Sequence, residues 1–209
     1  MAGDRERLQV AVLLSGTGRS LENLLAWRAR GDLDIDIPVV ISSRANVRGV
    51  EVARQAGIET HVVRRRDAPT PAELSAVVRE ILEPHGIGLI ALAGYLVQLE
   101  ILAEWRDKIM NIHPSLLPLF GGRGLYGERV HQAVLDAGMK VSGCTVHIVN
   151  EEYDAGPIVA QRCVPVLPGD SAQTLGGRVF AAECLAYPEA IGLFAAGRIT
   201  VEGNRARIA

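Results

Sequence analysis

The sequence predicts an α/β fold that is Rossmann-like, with parallel strands, in its N-terminal half and continues into a mixed sheet with antiparallel strands in its C-terminal half. Three observations carry that expectation. Residues 9–14 form an almost unbroken apolar run, the mark of a strand buried on both faces. Up to residue 93, three rounds of strand, helix and strand follow one another, which points to a parallel sheet with right-handed crossovers. After Pro118 the pattern changes, and residues 141–149 alternate small or polar with apolar side chains, as in a strand exposed on one face.

Residues 9–14 lead into Ser15-Gly16-Thr17-Gly18-Arg19-Ser20, then Leu21, Leu24 and Leu25 at helical spacing. A strand, a small-residue turn and a helix start form a phosphate-binding arrangement, because backbone N–H groups and the helix dipole converge on an anion. The glycines let the backbone approach that anion closely. A dinucleotide site would place a third glycine where Leu21 stands and an acid where Ser42-Ser43 stand. A lone phosphate monoester fits better, and a tight turn without ligand is the competing reading. Residues 35–41 read as the second strand, with Pro38 expected at an edge or near the strand's start. Residues 47–56 read as a helix closed by Gly57, and 59–63 as the third strand. Arg64-Arg65-Arg66-Asp67 reads as a solvated loop, although it lies at a strand end where anions bind.

Thr70-Pro71-Ala72-Glu73 combines an N-cap, a first-turn proline and a capping glutamate, so a helix is expected to about Pro84, ended by Gly86. Residues 87–93 form the fourth run, ending in Gly94-Tyr95. Ligands in such sheets collect at the carboxyl ends of strands, so residues 15–20, Arg64, Gly94-Tyr95 and 111–113 are expected along one rim. Residues 121–124 read as a flexible loop, 126–137 as a helix, 151–157 as an acidic loop and 158–166 as the returning antiparallel strand. A long helix is expected from about Gln173, broken near Pro188 and ended at Gly197. Residues 199–201 and 205–208 flank a final hairpin turn. One domain over 1–209 is expected, with halves of about 8–107 and about 108–209.

Composition narrows the function. The chain has 209 residues, 48% of them hydrophobic and 22% charged, which matches a soluble globular protein. A net charge of −2 and only 4% aromatic residues argue against nucleic acid as partner. Cys144, Cys163 and Cys184 make no C-x-x-C pair and leave an odd thiol, which favours a reducing cytoplasm over a disulfide framework. No run approaches the ~18 apolar residues of a membrane helix, and residues 1–7 are polar, without a signal-peptide core.

The chemistry centres on Met110-Asn111-Ile112-His113-Pro114-Ser115-Leu116-Leu117-Pro118. Asn111 and His113 are two apart, so in an extended segment both side chains leave on one face. The prolines stiffen the chain there. With Asp154, and less surely His147 and Ser115, these residues offer an amide donor, a titratable imidazole and a carboxylate. Such a set suits addition to a carbonyl, with donors on the oxyanion and one group shuttling a proton. A Ser-His-Asp triad through Ser115 lacks the G-x-S-x-G elbow, and Ser115 fits local backbone hydrogen bonding better. A metal on His113, His147 and Asp154 lacks supporting spacing.

The stretch from Asn111 to Pro118 resembles the signature of the folate-dependent formyltransferases. Ser15-Gly16-Thr17-Gly18, Ala53-Arg54-Gln55-Ala56-Gly57-Ile58, Leu92-Ala93-Gly94-Tyr95, Thr145-Val146-His147 and Asp154-x-Gly156-Pro157 extend the likeness over about residues 10–198. The resemblance implies formyl transfer from 10-formyltetrahydrofolate, as co-substrate, to the amine of glycinamide ribonucleotide, in purine synthesis. It implies a catalytic set of Asn111, His113 and Asp154. Gly18, Arg19 and Ser20 would hold the substrate phosphate, and Glu183 would contact that substrate. Leu96, Val97, Gln98 and Leu99, with Asn111 and Asp154, would line the folate pocket. Neither metal nor ATP is expected, because the folate already carries an activated formyl group. Asn111 and a protonated His113 are expected to stabilise the oxyanion, with Asp154 raising the histidine's pKa. Partners are expected to be these small molecules, without nucleic acid or membrane, and a homodimer is compatible.

Related readings are a formyltetrahydrofolate deformylase and a non-enzymatic phosphate-binding module. The chain departs from the family pattern at Val97, where an arginine is frequent, at Phe180, where a glutamine is, and over residues 121–130. For that reason His131 is given no role.

Overall fold

The computed structural model describes residues 7–209. The polar stretch at residues 1–6 lies outside the described residues. The strands hydrogen-bond in the order β3-β2-β1-β4-β5-β6-β7, a seven-stranded mixed sheet, with β8 and β9 paired separately. The chain divides into two compact units, the first ending at Ile109 and the second running Met110–Ala209.

In the first unit, β1 (Leu8–Leu14) has no exposed residue from Val10 onward, so its apolar run is core on both faces. It pairs in parallel with β2 (Ile35–Ser42) on one side and β4 (Leu89–Leu92) on the other. The strand β3 (Glu59–Val62) pairs in parallel with β2 from Val39 onward. Pro38 therefore sits in the part of β2 that β3 does not reach. On its other side the register with β1 shifts between Gln9 and Ala11, a bulge. A residue without an N–H is tolerated there for both reasons.

The crossovers are α1 (Arg19–Ala29), α2 (Arg48–Gln55) and α3 (Pro71–Leu82). Thr70 and Glu73 close the expected capping box on α3, which a 3₁₀ turn over Glu83–His85 extends. The strand order reverses between β1 and β4, which makes the crevice beyond their carboxyl ends the expected ligand position.

The second unit is built on β5 (Ile109–His113), β6 (Val141–Ile148) and β7 (Ile158–Pro165), antiparallel in succession. The helix α4 (Glu128–Asp136) starts two residues later than its periodicity suggested. The helix α5 (Ala172–Ala195) packs on β6 and β7. The expected break at Pro188 does not occur, and the helix runs through it. Pro188 is buried, flanked by buried Ala186, Tyr187, Ala190 and Ile191. Tyr187 also donates its hydroxyl to the Met110 carbonyl at 3.0 Å. Packing on both sides holds the two halves in line despite the lost ladder bond. The hairpin β8 (Ile199–Glu202) and β9 (Arg205–Ile208) forms as expected.

Candidate active site

The first unit builds the turn that sequence spacing assigned to a phosphate. Leu14 ends β1, and Ser15 donates its N–H to the Gly94 carbonyl at 3.1 Å, tying the ends of β1 and β4 together. Gly18 caps α1 at φ 75°, a left-handed conformation that favours glycine. The ladder of α1 begins where Glu22 N–H donates to the Gly18 carbonyl at 2.9 Å, so the N–H groups before it point out of the helix end, toward an anion's position. Gly18 has a second reason to be glycine. A Cβ there would lie 2.5 Å from Gly49 Cα, so the helix starts of α1 and α2 meet through two glycines. Its smallness is thus explained by packing, whatever approaches the turn from outside.

Glu22 puts a carboxylate in the first turn of α1, where it would repel a bound anion. Arg48 grips both its oxygens and also donates to the Thr17 carbonyl at 3.2 Å. That hydrogen bonding holds the Glu22 carboxyl below its usual value.

Beyond β4, Leu96 is exposed, Val97 half-buried, Gln98 exposed and Leu99 buried. Leu96 donates its N–H to Ser15 Oγ at 2.9 Å. Ser75 Oγ on α3 clamps the end of the loop, donating to the Glu100 carbonyl at 3.0 Å and accepting from Glu100 N–H at 2.9 Å. The loop that the family likeness gave to folate is therefore fixed at both ends. Burial lifts the Tyr95 phenol to about 12, and its buried hydroxyl has no hydrogen-bond partner among the described residues.

The second unit brings together Asn111, His113, His147 and Asp154. Asn111 faces His147 directly across β5 and β6. His147 Nδ1 lies 3.0 Å from the Ile148 carbonyl, which can only accept, so Nδ1 carries the hydrogen. His147 Nε2 then accepts from Asn111 Nδ2 at 3.1 Å, and the second Nδ2 hydrogen of Asn111 is left to donate elsewhere. His113 donates Nε2–H to the Phe120 carbonyl at 2.9 Å, which leaves Nδ1 as its reactive nitrogen. Asp154 sits between the rings, its oxygens 3.6 Å from His113 Nδ1 and 3.6 Å from His147 Nε2. Gly122 N–H donates to Asp154 Oδ2 at 2.8 Å.

Burial would raise the Asp154 carboxyl, but His147, His113 and the Gly122 N–H together outweigh it and hold it below its usual value. For His113 the balance runs the other way. Burial lowers its pKa below 6.5, and neither Asp154 nor the Phe120 carbonyl recovers the loss. Burial therefore works against the imidazolium in the resting site. The likeness implies a protonated His113; in the resting chain its side chain is 5% exposed, and burial opposes that form against the attraction of one carboxylate 3.6 Å away.

Three glycines hold this cluster. A Cβ on Gly121 would meet Leu117 Cδ2 at 2.5 Å and Asp154 Cβ at 3.1 Å. A Cβ on Gly143 would lie 2.1 Å from the Arg162 carbonyl oxygen. Gly156 presses the Asp154 loop onto β6, and a Cβ there would lie 1.9 Å from the Ile148 carbonyl oxygen. Both colliding atoms are rigid backbone. Gly156→Ala should cost about 3 kcal/mol or more, at the upper end of overpacking, read as a lowered urea midpoint with an unchanged m-value.

Ser115 is no nucleophile. Its hydroxyl donates to the Leu119 carbonyl at 2.6 Å, and its own carbonyl accepts from Thr145 Oγ1 at 2.7 Å. Gln161 Nε2 donates to Thr145 Oγ1 at 3.0 Å and to the Leu117 carbonyl at 2.9 Å. Sequence reading missed Thr145, Gln161, Phe120 and Gly122 as supports of the loop, because Phe120 and Gly122 act through backbone atoms and Thr145 and Gln161 reach it from other strands. Cys144 is buried and its thiol is pushed up to about 12, first by burial and then by Glu183. That influence places half-buried Glu183 of α5 near β6. His131 is buried beside Gly176, where an added Cβ would lie 3.0 Å from its Nε2, and its Nδ1 has no hydrogen-bond partner among the described residues. Among the described residues no group of three or more His, Cys, Asp or Glu is arranged to hold a metal ion, and no helix is long and apolar enough to cross a membrane.

Comparison with known proteins shows the family of the chain. The chain is 42% identical over 197 residues to the trifunctional purine biosynthetic protein adenosine-3 of Gallus gallus, a match covering 93% of this chain and 19% of that protein. It therefore spans about a fifth of that relative's length. It is 36% identical to the phosphoribosylglycinamide formyltransferase of Haemophilus influenzae, covering 95% of this chain and 92% of the relative. The crystal structure of glycinamide ribonucleotide transformylase 1 from Symbiobacterium toebii superposes with a TM-score of 0.90 at 41% identity, over 97% of this chain and 94% of that one. The family model for formyl transferases matches residues 8–191, and the chain belongs to that family.

Proposed function

We propose that this chain transfers the formyl group of 10-formyltetrahydrofolate to the primary amine of glycinamide ribonucleotide, giving the N-formyl product and tetrahydrofolate. The observation that carries the reading is the arrangement of Asn111, His113, His147 and Asp154, a donor and a proton carrier with fixed tautomers. Two relatives whose names state this reaction or substrate match along nearly their full length.

The amine nitrogen attacks the formyl carbon and the carbonyl electron pair moves to oxygen. Asn111 donates its second Nδ2 hydrogen to that oxyanion, with the amide held in orientation by His147. Neutral His113 takes the amine proton at Nδ1 and becomes an imidazolium, which Asp154 stabilises. As the bond from the formyl carbon to the folate nitrogen breaks, His113 returns the proton to that nitrogen. The residues Leu96, Val97, Gln98 and Leu99 would take the folate, while Gly18, Arg19 and Ser20 would take the substrate phosphate and Glu183 its polar groups.

Incubation with 10-formyltetrahydrofolate, with and without glycinamide ribonucleotide, tests the reading. Tetrahydrofolate release only in the presence of the ribonucleotide is the expected result. Release without it would mean deformylation, and no release in either case would mean a binding module.

The phosphate assignment is best probed at Gly16, because a substitution at Gly18 would strike Gly49 and disturb the fold. A Cβ on Gly16 meets nothing within 4 Å. Gly16→Val should therefore fold and fill the space before the helix start. KM for the ribonucleotide should rise about tenfold or more, the scale of a lost charge-assisted contact, while KM for the folate stays within twofold.

A further inference from the structure

Two residues of the arginine run that the reaction does not use, Arg64 and Arg66, line a cavity of about 480 Å³ in the first unit, together with Ser43, Arg44, Ala45 and Asn46. We propose that this cavity, at the carboxyl ends of β2 and β3, is a second anion site that takes a compact polyanion carrying adjacent phosphoryl groups. It goes beyond formyl transfer and uses none of the residues assigned to that reaction.

Arg44, Arg64 and Arg66 all face the cavity. The guanidiniums of Arg44 and Arg64 have no hydrogen-bond or carboxylate partner among the described residues. Asp67 is the neighbouring acid, and it lies 3.6 Å from Arg66 Nε while accepting from Arg64 N–H at 3.4 Å. A chain of net charge −2 thus places three arginines at one opening, with Asp67 beside Arg66. Guanidiniums that converge repel one another unless an anion sits between them, and their planar forks suit phosphoryl oxygens. The lining contains no ring and one aliphatic side chain, Ala45, so charge rather than stacking would select the ligand. The volume exceeds what one phosphate fills, which favours a chain of phosphoryl groups.

The position supports a built site over a solvated loop. Carboxyl ends of parallel strands are where such sheets bind ligands. Ser42 Oγ holds the Arg44 backbone, donating to its carbonyl at 2.7 Å and accepting from its N–H at 3.2 Å. Buried Ser43 donates its hydroxyl to Ser15 Oγ at 2.6 Å, and Ser15 Oγ also accepts from Leu96 N–H at 2.9 Å. One hydroxyl pair therefore joins the cavity wall to the start of the 15–20 turn and to the 96–99 loop.

The test is titration of the intact chain with inorganic pyrophosphate at constant ionic strength, by calorimetry and by backbone amide shifts, without folate or ribonucleotide. The expected result is saturable one-to-one binding, at least fivefold weaker in the R44Q/R64Q double variant, with folding checked by circular dichroism. Amide shifts in the unaltered chain should centre on residues 43–46 and 64–66 and reach Leu96. Non-saturable binding, a loss smaller than fivefold in the folded double variant, or shifts confined to residues 16–21 would overturn the proposal. Because no formyl donor is present, its failure is separable from failure of the formyl-transfer reading.

Discussion

Asp154→Asn should lower kcat by about 10²–10³-fold while leaving both KM values within about threefold. The magnitude is that of an electrostatic partner acting on a general base. Its physical basis is the 3.6 Å separation from His113 Nδ1, the nitrogen left over when Nε2 binds the Phe120 carbonyl. In the ground state burial disfavours the imidazolium of His113, so the carboxylate's attraction is little used. In the transition state it carries a proton, and the attraction is realised there, so kcat falls rather than substrate affinity. The sign of the pH effect follows. Burial already holds the His113 pKa below 6.5, and Asp154 is the main influence raising it. Removing that charge lowers the pKa further, so the acid limb of the kcat profile should move to lower pH while the plateau drops. A limb that moves to higher pH would contradict the assignment. Stopped assays of N-formyl product across pH 5–9 measure both effects.

Asn111→Leu should also cost about 10²–10³-fold in kcat, the range for loss of one oxyanion donor. The replacement keeps the approximate volume in a half-buried strand position and removes the hydrogen. Its pH profile should keep the shape of the parent, since Asn111 neither titrates nor touches His113 in the hydrogen-bond network. Loss of the donor to His147 frees that ring's Nε2, 3.6 Å from Asp154 Oδ1. Some of the lost activity should therefore return in Asn111→Gln if the longer amide reaches the same oxygen. Equal kcat in the leucine variant and the parent would remove Asn111 from the reaction.

Much of the first unit was legible in the sequence. Continuous apolar runs such as residues 9–14 have few alternatives to buried parallel strands, and Thr70-Pro71-Ala72-Glu73 names a helix start through local hydrogen bonds alone. Elements decided by tertiary packing were read less well. Pro188 looked like a helix break because local rules count the missing N–H, whereas the helix continues through it with the surrounding face of α5 buried. Pro38 shows the opposite case, since the edge rule was right and the bulge opposite β1 supplied the rest.

In the candidate site, Asn111 and His113 could be paired from their spacing on a strand. Asp154, 41 positions on from His113, carries no local signal that sets it apart from other acids in its loop. Its left-handed backbone, φ 54°, and the small neighbours Gly121 and Gly156 make sense only once β6 lies against it. The charge state of His113 is hard to read from sequence for a related reason. A carboxylate partner can be inferred from sequence, but the degree of burial that opposes it cannot.

The most direct test of the account is a double-mutant cycle on Asp154→Asn and His113→Asn, with kcat for formyl transfer to glycinamide ribonucleotide measured across pH. If the carboxylate acts through the imidazole, removing it from a chain already lacking His113 should cost little. The double variant should then fall within about fivefold of the His113→Asn single variant, the non-additivity expected of residues that work as a unit. Strict additivity of the two losses, with an unshifted acid limb in Asp154→Asn, would contradict the pairing and with it the proposed proton path.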